Sequence, residues 1–484
     1  MHEHTLTTEE ESWYTSPTLT MADKQLYHSP ALSGPQLEDF RRLNEELKLR
    51  CTEEELEGMA KNAEGVTASY QRVSEFPDTS LPVVRYPRTP GYRPRPDDNP
   101  YNAWAWKCDI RGAAEGKLSG RTVGIKDNTA VAGVPMRNGS KILENYVPEF
   151  DATVVTRILD AGGRIIGKTS VEDMCLSGSS ITNSDGPVRN PRDESRIAGG
   201  SSSGSGALVA AGLVDMAIGG DQGGSIRIPA SFTGIVGLKP TYGLVPYTGA
   251  STFDPSVDHL GPMARTVSDC ALLLEVIAGY DDGRDARQFP GGDIKTVCSG
   301  QAGYHCMVKD GGAPYYSKGF YPVSMLEASQ RGVTACPQDL PPAVKFHALY
   351  SEYMTQLYGR ANKFYAKANN LKMELTRQYD AALQKFDVLV MPTMPFVAPK
   401  IPPAGISYLD LSRHTWSMAS NTCQFNITGH PAVTVNAGFA LTDDGIQLPV
   451  GMMIVGKKFD DVTVLQMARA VETIAPKDKK LSGV

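Results

Sequence analysis

Residues 199–240 constrain the fold more than any other part of this chain, because two glycine- and serine-rich turns there flank one apolar run. The first turn reads Gly199-Gly200-Ser201-Ser202-Ser203-Gly204-Ser205-Gly206, and the apolar run extends from Ala207 to Ile218. The second begins Gly219-Gly220-Asp221-Gln222-Gly223-Gly224-Ser225 and continues through Ile226-Arg227-Ile228-Pro229-Ala230 to Lys239-Pro240. Glycine lacks the Cβ that blocks tight or left-handed backbone, so such turns admit a close approach to a ligand. Upstream, Gly124-Ile125-Lys126-Asp127-Asn128 follows a short β-type run, which places an amine at a strand end near those serines. One lysine and two serines become the candidates for chemistry.

A serine nucleophile needs a base to take its proton and donors to hold the developing oxyanion. His259 and His430 are present, but no Ser-His-Asp framing surrounds them. The consecutive backbone N–H groups of Gln222, Gly223, Gly224 and Ser225 can instead curl around one oxygen. The helix-like segment from Ile226 would add its positive end, and the result reads as an oxyanion hole.

These residues resemble the amidase signature family of serine hydrolases, recognised by its Gly/Ser-rich block and a Ser-cisSer-Lys triad. Carried over by position, the resemblance implies Lys126 as base, Ser201 as the bridging serine after a cis peptide bond with Gly200, and Ser225 as nucleophile. Further matches cover most of residues 95 to 475, among them Asp151-Ala152-Thr153, Gly237-Leu238-Lys239-Pro240-Thr241, Val390-Met391-Pro392-Thr393 and Thr428-Gly429-His430-Pro431. The Gly219–Arg227 wording, with Asp98-Asn99-Pro100 ahead of Trp104, is similar to wide-spectrum amidases with a helical N-terminal extension. It is less similar to tRNA-dependent amidotransferase subunits, which usually carry Thr-Asp-Thr before the Gly-Gly-Ser.

The implied chemistry requires Lys126 as a neutral amine, although a free lysine titrates near about 10.4. Burial and neighbouring donors must therefore lower its pKa. Ser202 and Asp221 are expected to hydrogen-bond around the triad, with Arg227 pairing Asp221 to hold the glycine turn; an ordinary ion pair is the competing reading. By resemblance Cys175 and Leu176 line the acyl pocket, with core filling as the equal alternative, and His430 reads as a satisfied structural histidine. Gly200-Ser201-Ser202-Ser203-Gly204 also matches the G-x-S-x-G nucleophile elbow, which would make Ser202 the nucleophile. That motif needs a preceding strand, and Ser195-Arg196-Ile197-Ala198-Gly199 is a poor one.

A chain of 484 residues with 41% hydrophobic content can bury a substantial core. Its net charge of -6 offers no basic field for nucleic acid or anionic membrane, so a small uncharged amide or carbamate is the expected partner. The eight cysteines are scattered without C-x-x-C spacing, which indicates neither a zinc site nor a disulfide framework. No phosphate-loop string is present, so no nucleotide-binding loop is expected; no metal and no cofactor are expected, and His2 with His4 would bind only adventitious metal. The first thirty residues are acidic and polar rather than basic then apolar, and no run of eighteen apolar residues offers a membrane span. A cytoplasmic location follows as the expectation.

Residues 35 to 75 carry helical spacing, in Leu37, Phe40, Leu43 and Leu47 and then from a capping box at Thr52-Glu53-Glu54-Glu55. This pair is expected to pack on the main domain or on a second subunit of a homodimer. The implied organisation is an N-terminal helical extension at 1–80, a proline-rich connector at 81–100 and a catalytic domain at 101–476. Within the last, strand Thr122 to Ile125, a helix capped by Asp151, strand Arg164 to Ile166, helices Ser268 to Ala278 and Leu375 to Phe386, strand Val388 to Met391 and helix Asp461 to Ile474 alternate. That pattern predicts an α/β fold with a large mixed, largely parallel sheet covered by helices on both faces. Asp281 to Cys306 departs from the family, being short and glycine-rich where a strand-helix-strand unit is usual; the resemblance resumes weakly at Lys309-Asp310-Gly311-Gly312. The expected function is hydrolysis of carboxylic amides through an acyl-enzyme, with carbamate hydrolysis (a urethanase activity) as the alternative. From another class, a non-catalytic scaffold or an amidotransferase subunit remains open.

Overall fold

A computed structural model describes residues 31–75, 84–285, 287–288, 320–358 and 363–476. Thr5 to Pro30, the two N-terminal histidines, connector residues 81–83, most of Asp281 to Cys306 and Lys309 to Gly312 lie outside the described residues. The chain divides into two compact units, Met1–Ser80 and Leu81–Val484.

In the first unit, α1 (Leu37–Leu47) and α2 (Glu53–Glu75) form the expected helical pair. The capping box closes reciprocally: Thr52 N–H donates to Glu55 Oε2 at 2.7 Å and Glu55 N–H to Thr52 Oγ1 at 3.3 Å.

The second unit is built on strands β1 (Trp104–Arg111), β2 (Thr122–Lys126), β3 (Arg164–Thr169), β6 (Met216–Asp221), β7 (Val236–Lys239), β8 (His259–Ala264), β9 (Val388–Pro392), β10 (Ala432–Leu441) and β11 (Gln447–Gly456). Among the described residues they form one nine-stranded sheet, ordered β1-β3-β2-β6-β8-β7-β10-β11-β9. A separate two-stranded ribbon pairs β4 (Arg189–Asn190) with β5 (Asp193–Ile197). The expected mixed sheet is present, but among the described residues it is parallel only where β3, β2 and β6 pair; its other neighbours are antiparallel, so the expectation of a largely parallel sheet holds only for that part. The proline-rich stretch is laid along β1, with Tyr92 bridging Lys107 and the Trp106 indole donating to Pro90 O at 2.6 Å.

Strand alternation sorts the two faces. Val123 and Ile125 of β2, with Met216 and Ile218 of β6, join a core completed by Val154, Val155, Ile158 and Leu159 of α3 (Thr153–Asp160). The helices Val267–Ile277 and Asp461–Ile474 close the same core, the latter through Val464 and Ala468. Ala217 of β6 instead packs with Ala207, Leu208 and Ala230, which lie on α4 (Ser203–Ala210) and α5 (Arg227–Thr233). Period two therefore puts Lys126 and Asp221 on the face covered by α4 and α5.

Two local expectations are corrected, and one unassigned apolar run is resolved. Asp151 does not cap α3, whose N-cap is Ala152 without a side-chain bond; its Oδ1 accepts from Ala132 N–H at 2.8 Å and Arg88 at 2.7 Å. The apolar run from Ala207 breaks at Gly212, φ 72°, into the end of α4 and then β6. The start of the Ser195–Gly199 segment, a poor strand by its wording, belongs to strand β5 (Asp193–Ile197), outside the main sheet.

Candidate active site

Strand β2 ends at Lys126, whose side chain is completely buried. Its Nζ donates to Ser201 Oγ at 2.8 Å and to Gly220 O at 3.0 Å, and no ion pair involves it among the described residues. Burial, the dominant effect, pushes this amine below its ordinary value, against a weaker opposing pull from Cys175, Asp221 and Asp258. The Gly200-Ser201 peptide bond is cis. Ser201 is held by a bond from Glu172 N–H to its carbonyl at 3.3 Å, and Gly200 N–H donates to Gly178 O at 2.8 Å.

Ser225 retains 7% exposure, and no hydrogen bond ends on its hydroxyl among the described residues. Its carbonyl accepts from Ser202 N–H at 3.2 Å, which ties the two serine turns together through the backbone. The Ser202 hydroxyl donates to Gly220 O and accepts from Gly220 N–H, both at 3.1 Å. Fully buried and bonded in both directions, it is closed as a nucleophile even though β5 supplies the preceding strand that the elbow reading lacked.

Asp221 organises the glycine turn. Its carboxylate accepts from Gly224 N–H at 2.7 Å and Ile226 N–H at 3.1 Å, and Arg227 reaches it bidentately at 2.9 and 3.0 Å. Burial would raise this acid, but the Arg227 guanidinium and the Asn426 amide hold it well below the usual carboxylate range. This corrects one member of the expected oxyanion set: the Gly224 N–H is taken by Asp221. The N–H groups of Gln222, Gly223 and Ser225 carry no bond among the described residues. Gly224 sits at φ 140°, and a Cβ there would meet Thr422 Oγ1 at 2.2 Å, so the turn demands glycine.

Cys175 is buried at φ 60°, its thiol donating to Asn138 Oδ1 at 3.3 Å. Burial raises it, opposed first by the nearby Lys126. Leu176 packs with Met174, Met136 and Val344 in an apolar cluster. His259 is buried and bonded through Nδ1 to Val257 O at 2.7 Å, with burial pushing it well below its ordinary value. His430 is bonded on both nitrogens, to Thr428 Oγ1 at 2.9 Å and Asp380 at 3.0 Å.

Sequence reasoning misses Asn426 and Thr422, which complete the Asp221–Arg227 cage from nearly two hundred positions downstream. Asn426 Nδ2 donates to Asp221 Oδ1 at 2.8 Å, and Thr422 O accepts from Arg227 at 2.8 Å. It also misses the buried Lys168–Asp127 pair, 2.9 Å, directly beside Lys126. The Gly167-Lys168-Thr169 wording of β3 is the only local signal for it.

A family model described as Amidase matches residues 97–298 and 335–465. An enantioselective amidase of Rhodococcus rhodochrous is 38% identical over 90% of this chain and 95% of its own length. That alignment spans 513 positions, more than this chain contains, so the relative carries residues absent here. A glutamyl-tRNA(Gln) amidotransferase subunit of Methanosarcina acetivorans is 36% identical over 76% of this chain and 87% of its own. Among solved structures, the corresponding glutamyl-tRNA(Gln) amidotransferase subunit of Thermotoga maritima superposes with TM-score 0.58 at 31% identity, covering 76% of this chain and 86% of that one. The peptide amidase of Stenotrophomonas maltophilia gives 0.55 at 26%, covering 74% and 83%. Among the described residues, no helix is long and apolar enough to cross a membrane.

Proposed function

This chain belongs to the Amidase family, and from that premise we propose that it hydrolyses carboxylic amides to acid and ammonia or amine through Lys126, Ser201 and Ser225. The observation that carries the reading is the 2.8 Å bond from a fully buried, unpaired amine to the Ser201 hydroxyl. A buried amine without a carboxylate partner is disfavoured as an ammonium, so its lone pair is available to accept a proton.

Ser225 Oγ attacks the carbonyl carbon while its proton moves to Ser201 Oγ, and the Ser201 proton moves to Lys126 Nζ. The N–H groups of Gln222, Gly223 and Ser225 receive the oxyanion. Collapse breaks the C–N bond as the proton returns from Lys126 through Ser201 to the leaving nitrogen. Water then cleaves the acyl-enzyme over the same relay and releases the acid. Asp221 and Arg227 hold the turn, and residues 101–476, which follow the helical extension and connector in the sequence, act as the catalytic domain.

Greater coverage by the amidase relative, 90% against 76%, favours a free-standing amidase over an amidotransferase subunit. The carbamate reading uses the same relay with a different leaving group. The test is labelling with a fluorophosphonate read by peptide mass, followed by purified protein against amide and carbamate panels. Label on Ser225 with acid release from amides is expected. Label on Ser202, or a folded protein that takes no label, contradicts the triad, and faster carbamate turnover replaces the substrate class.

A further inference from the structure

A group outside the proposed relay bonds the residues flanking its two ends, Asn128 after Lys126 and Gln222 before Ser225. Tyr247 lies in the turn region between β7 and β8, with its hydroxyl buried against Gln222 of the oxyanion turn and Asn128, two residues past Lys126. The phenolic oxygen accepts from Gln222 Nε2 at 2.9 Å and Asn128 Nδ2 at 3.4 Å, and donates to Ser251 O at 3.0 Å. Ser251 N–H returns a bond to Asn128 O at 2.7 Å, and Ala130 N–H donates to Gly249 O at 2.9 Å, so the tyrosine segment and the turn after Lys126 are stitched together. Lys126 Nζ, Asn128 Nδ2 and Gln222 Nε2 converge on one point: all three lie 3.4 to 3.5 Å from where a Cβ on Gly220 would stand.

The tyrosine is itself fixed from behind. Its N–H donates to Asp285 Oδ2 at 2.7 Å, and the Arg287 guanidinium stands 4.6 Å from its ring centroid while chelating Asp285. Arg287 also donates to Asp258 O at 2.6 Å. Burial pushes the phenol well above its ordinary value, so the O–H remains a donor to Ser251. Asp285 and Arg287 lie near the end of the first family-matched stretch, residues 97–298, and serve as the anchor of this tyrosine.

We infer that Tyr247 is a positioning residue whose hydroxyl locks the Gln222 end of the oxyanion turn to the Lys126 strand end. Without the phenol the Asn128 amide would be a buried donor with no acceptor, and the Gln222 amide would be left to the Asp258 carboxylate, beside the one amine whose lone pair the reaction needs. The inference rests on the relay proposed above. It concerns geometry in the transition state rather than substrate capture, so it acts on kcat and leaves KM alone.

The experiment is a double-mutant cycle on the full chain with an aryl carboxamide, normalised by fluorophosphonate titration of Ser225. Tyr247→Phe is expected to lower kcat by about ten-fold or more with KM within about two-fold, Gln222→Met to do the same, and the pair to lose no more than either alone. Multiplying losses, or a Tyr247→Phe kcat within about two-fold of the parent, overturn it. Should Tyr247→Phe fail to fold, Gln222→Met alone decides, because an unchanged kcat there removes the lock. A parent that hydrolyses the amide without label on Ser225 overturns the underlying relay, a failure distinguishable from that of Tyr247.

Discussion

Lys126 and Arg227 stand at the two ends of the Gly219–Ser225 turn, both completely buried, in surroundings that act in opposite directions. Arg227 meets a carboxylate bidentately, an amide oxygen of Asn426 at 2.6 Å and a backbone carbonyl, and its partner Asp221 is held ionised. Among the described residues Lys126 meets a hydroxyl, a carbonyl and the Cys175 thiol, with no carboxylate paired to it, and its pKa falls. Equal burial thus leaves the paired Asp221 carboxylate well below its usual range in one place and pushes the unpaired Lys126 amine below its ordinary value in the other, and pairing decides between them. The first arrangement maintains a shape; the second makes a base.

The strongest way to break that contrast is to exchange activity and stability effects between the two ends. Ser225→Ala should abolish turnover, and Ser201→Ala should cut kcat by roughly 10²-fold or more but less completely, since water can stand in for the relay. Steady-state rates with an aryl amide check the order, and a Ser201→Ala enzyme as fast as the parent sinks the bridging role. Lys126→Met should lose activity nearly as fully. Arg227→Met, by contrast, strands Asp221 as an unpaired buried charge and should cost about 3–5 kcal/mol of stability, measurable by denaturant unfolding.

The smallest effect is the sharpest. A lysine whose folded pKa lies below its unfolded value lets the unfolded chain bind more protons between the two values, so its contribution to stability is present above about 10.4 and lost as pH falls through the folded pKa. Lys126→Met removes that penalty. Its unfolding free energy should exceed the parent's at neutral pH, by about 1.4 kcal/mol for each pKa unit of depression, and the difference should shrink as pH approaches 10.5. A variant less stable than the parent at neutral pH would mean that the lysine is charged and usefully paired.

How much of this is legible in the sequence follows the range of the interactions. The strand end at Lys126 and the α2 capping box are local patterns, and they emerge from spacing alone. The triad positions come from a family resemblance, because nothing local makes Lys126 different from a solvated lysine. Asp151 looks like a helix cap and instead serves Ala132 and Arg88, since a capping residue is indistinguishable from a loop carboxylate until its partners are known. The Asp193–Ile197 strand escapes notice because a short, mostly polar segment has no apolar alternation to reveal it. Asn426, Thr422 and Tyr247 are out of reach for a different reason: their roles exist only once β6, α5 and the segment around 422–428 have been brought together.

The account depends on Lys126 being uncharged when Ser225 reacts. The direct measurement is the pH dependence of the rate at which a fluorophosphonate modifies Ser225, in the parent and in Lys126→Met. The parent rate should rise with a single ionisation and reach its plateau well below about 10.4, and that ionisation should vanish in the variant. A parent rate still climbing at about pH 10, or a profile unchanged by removing the amine, would contradict it.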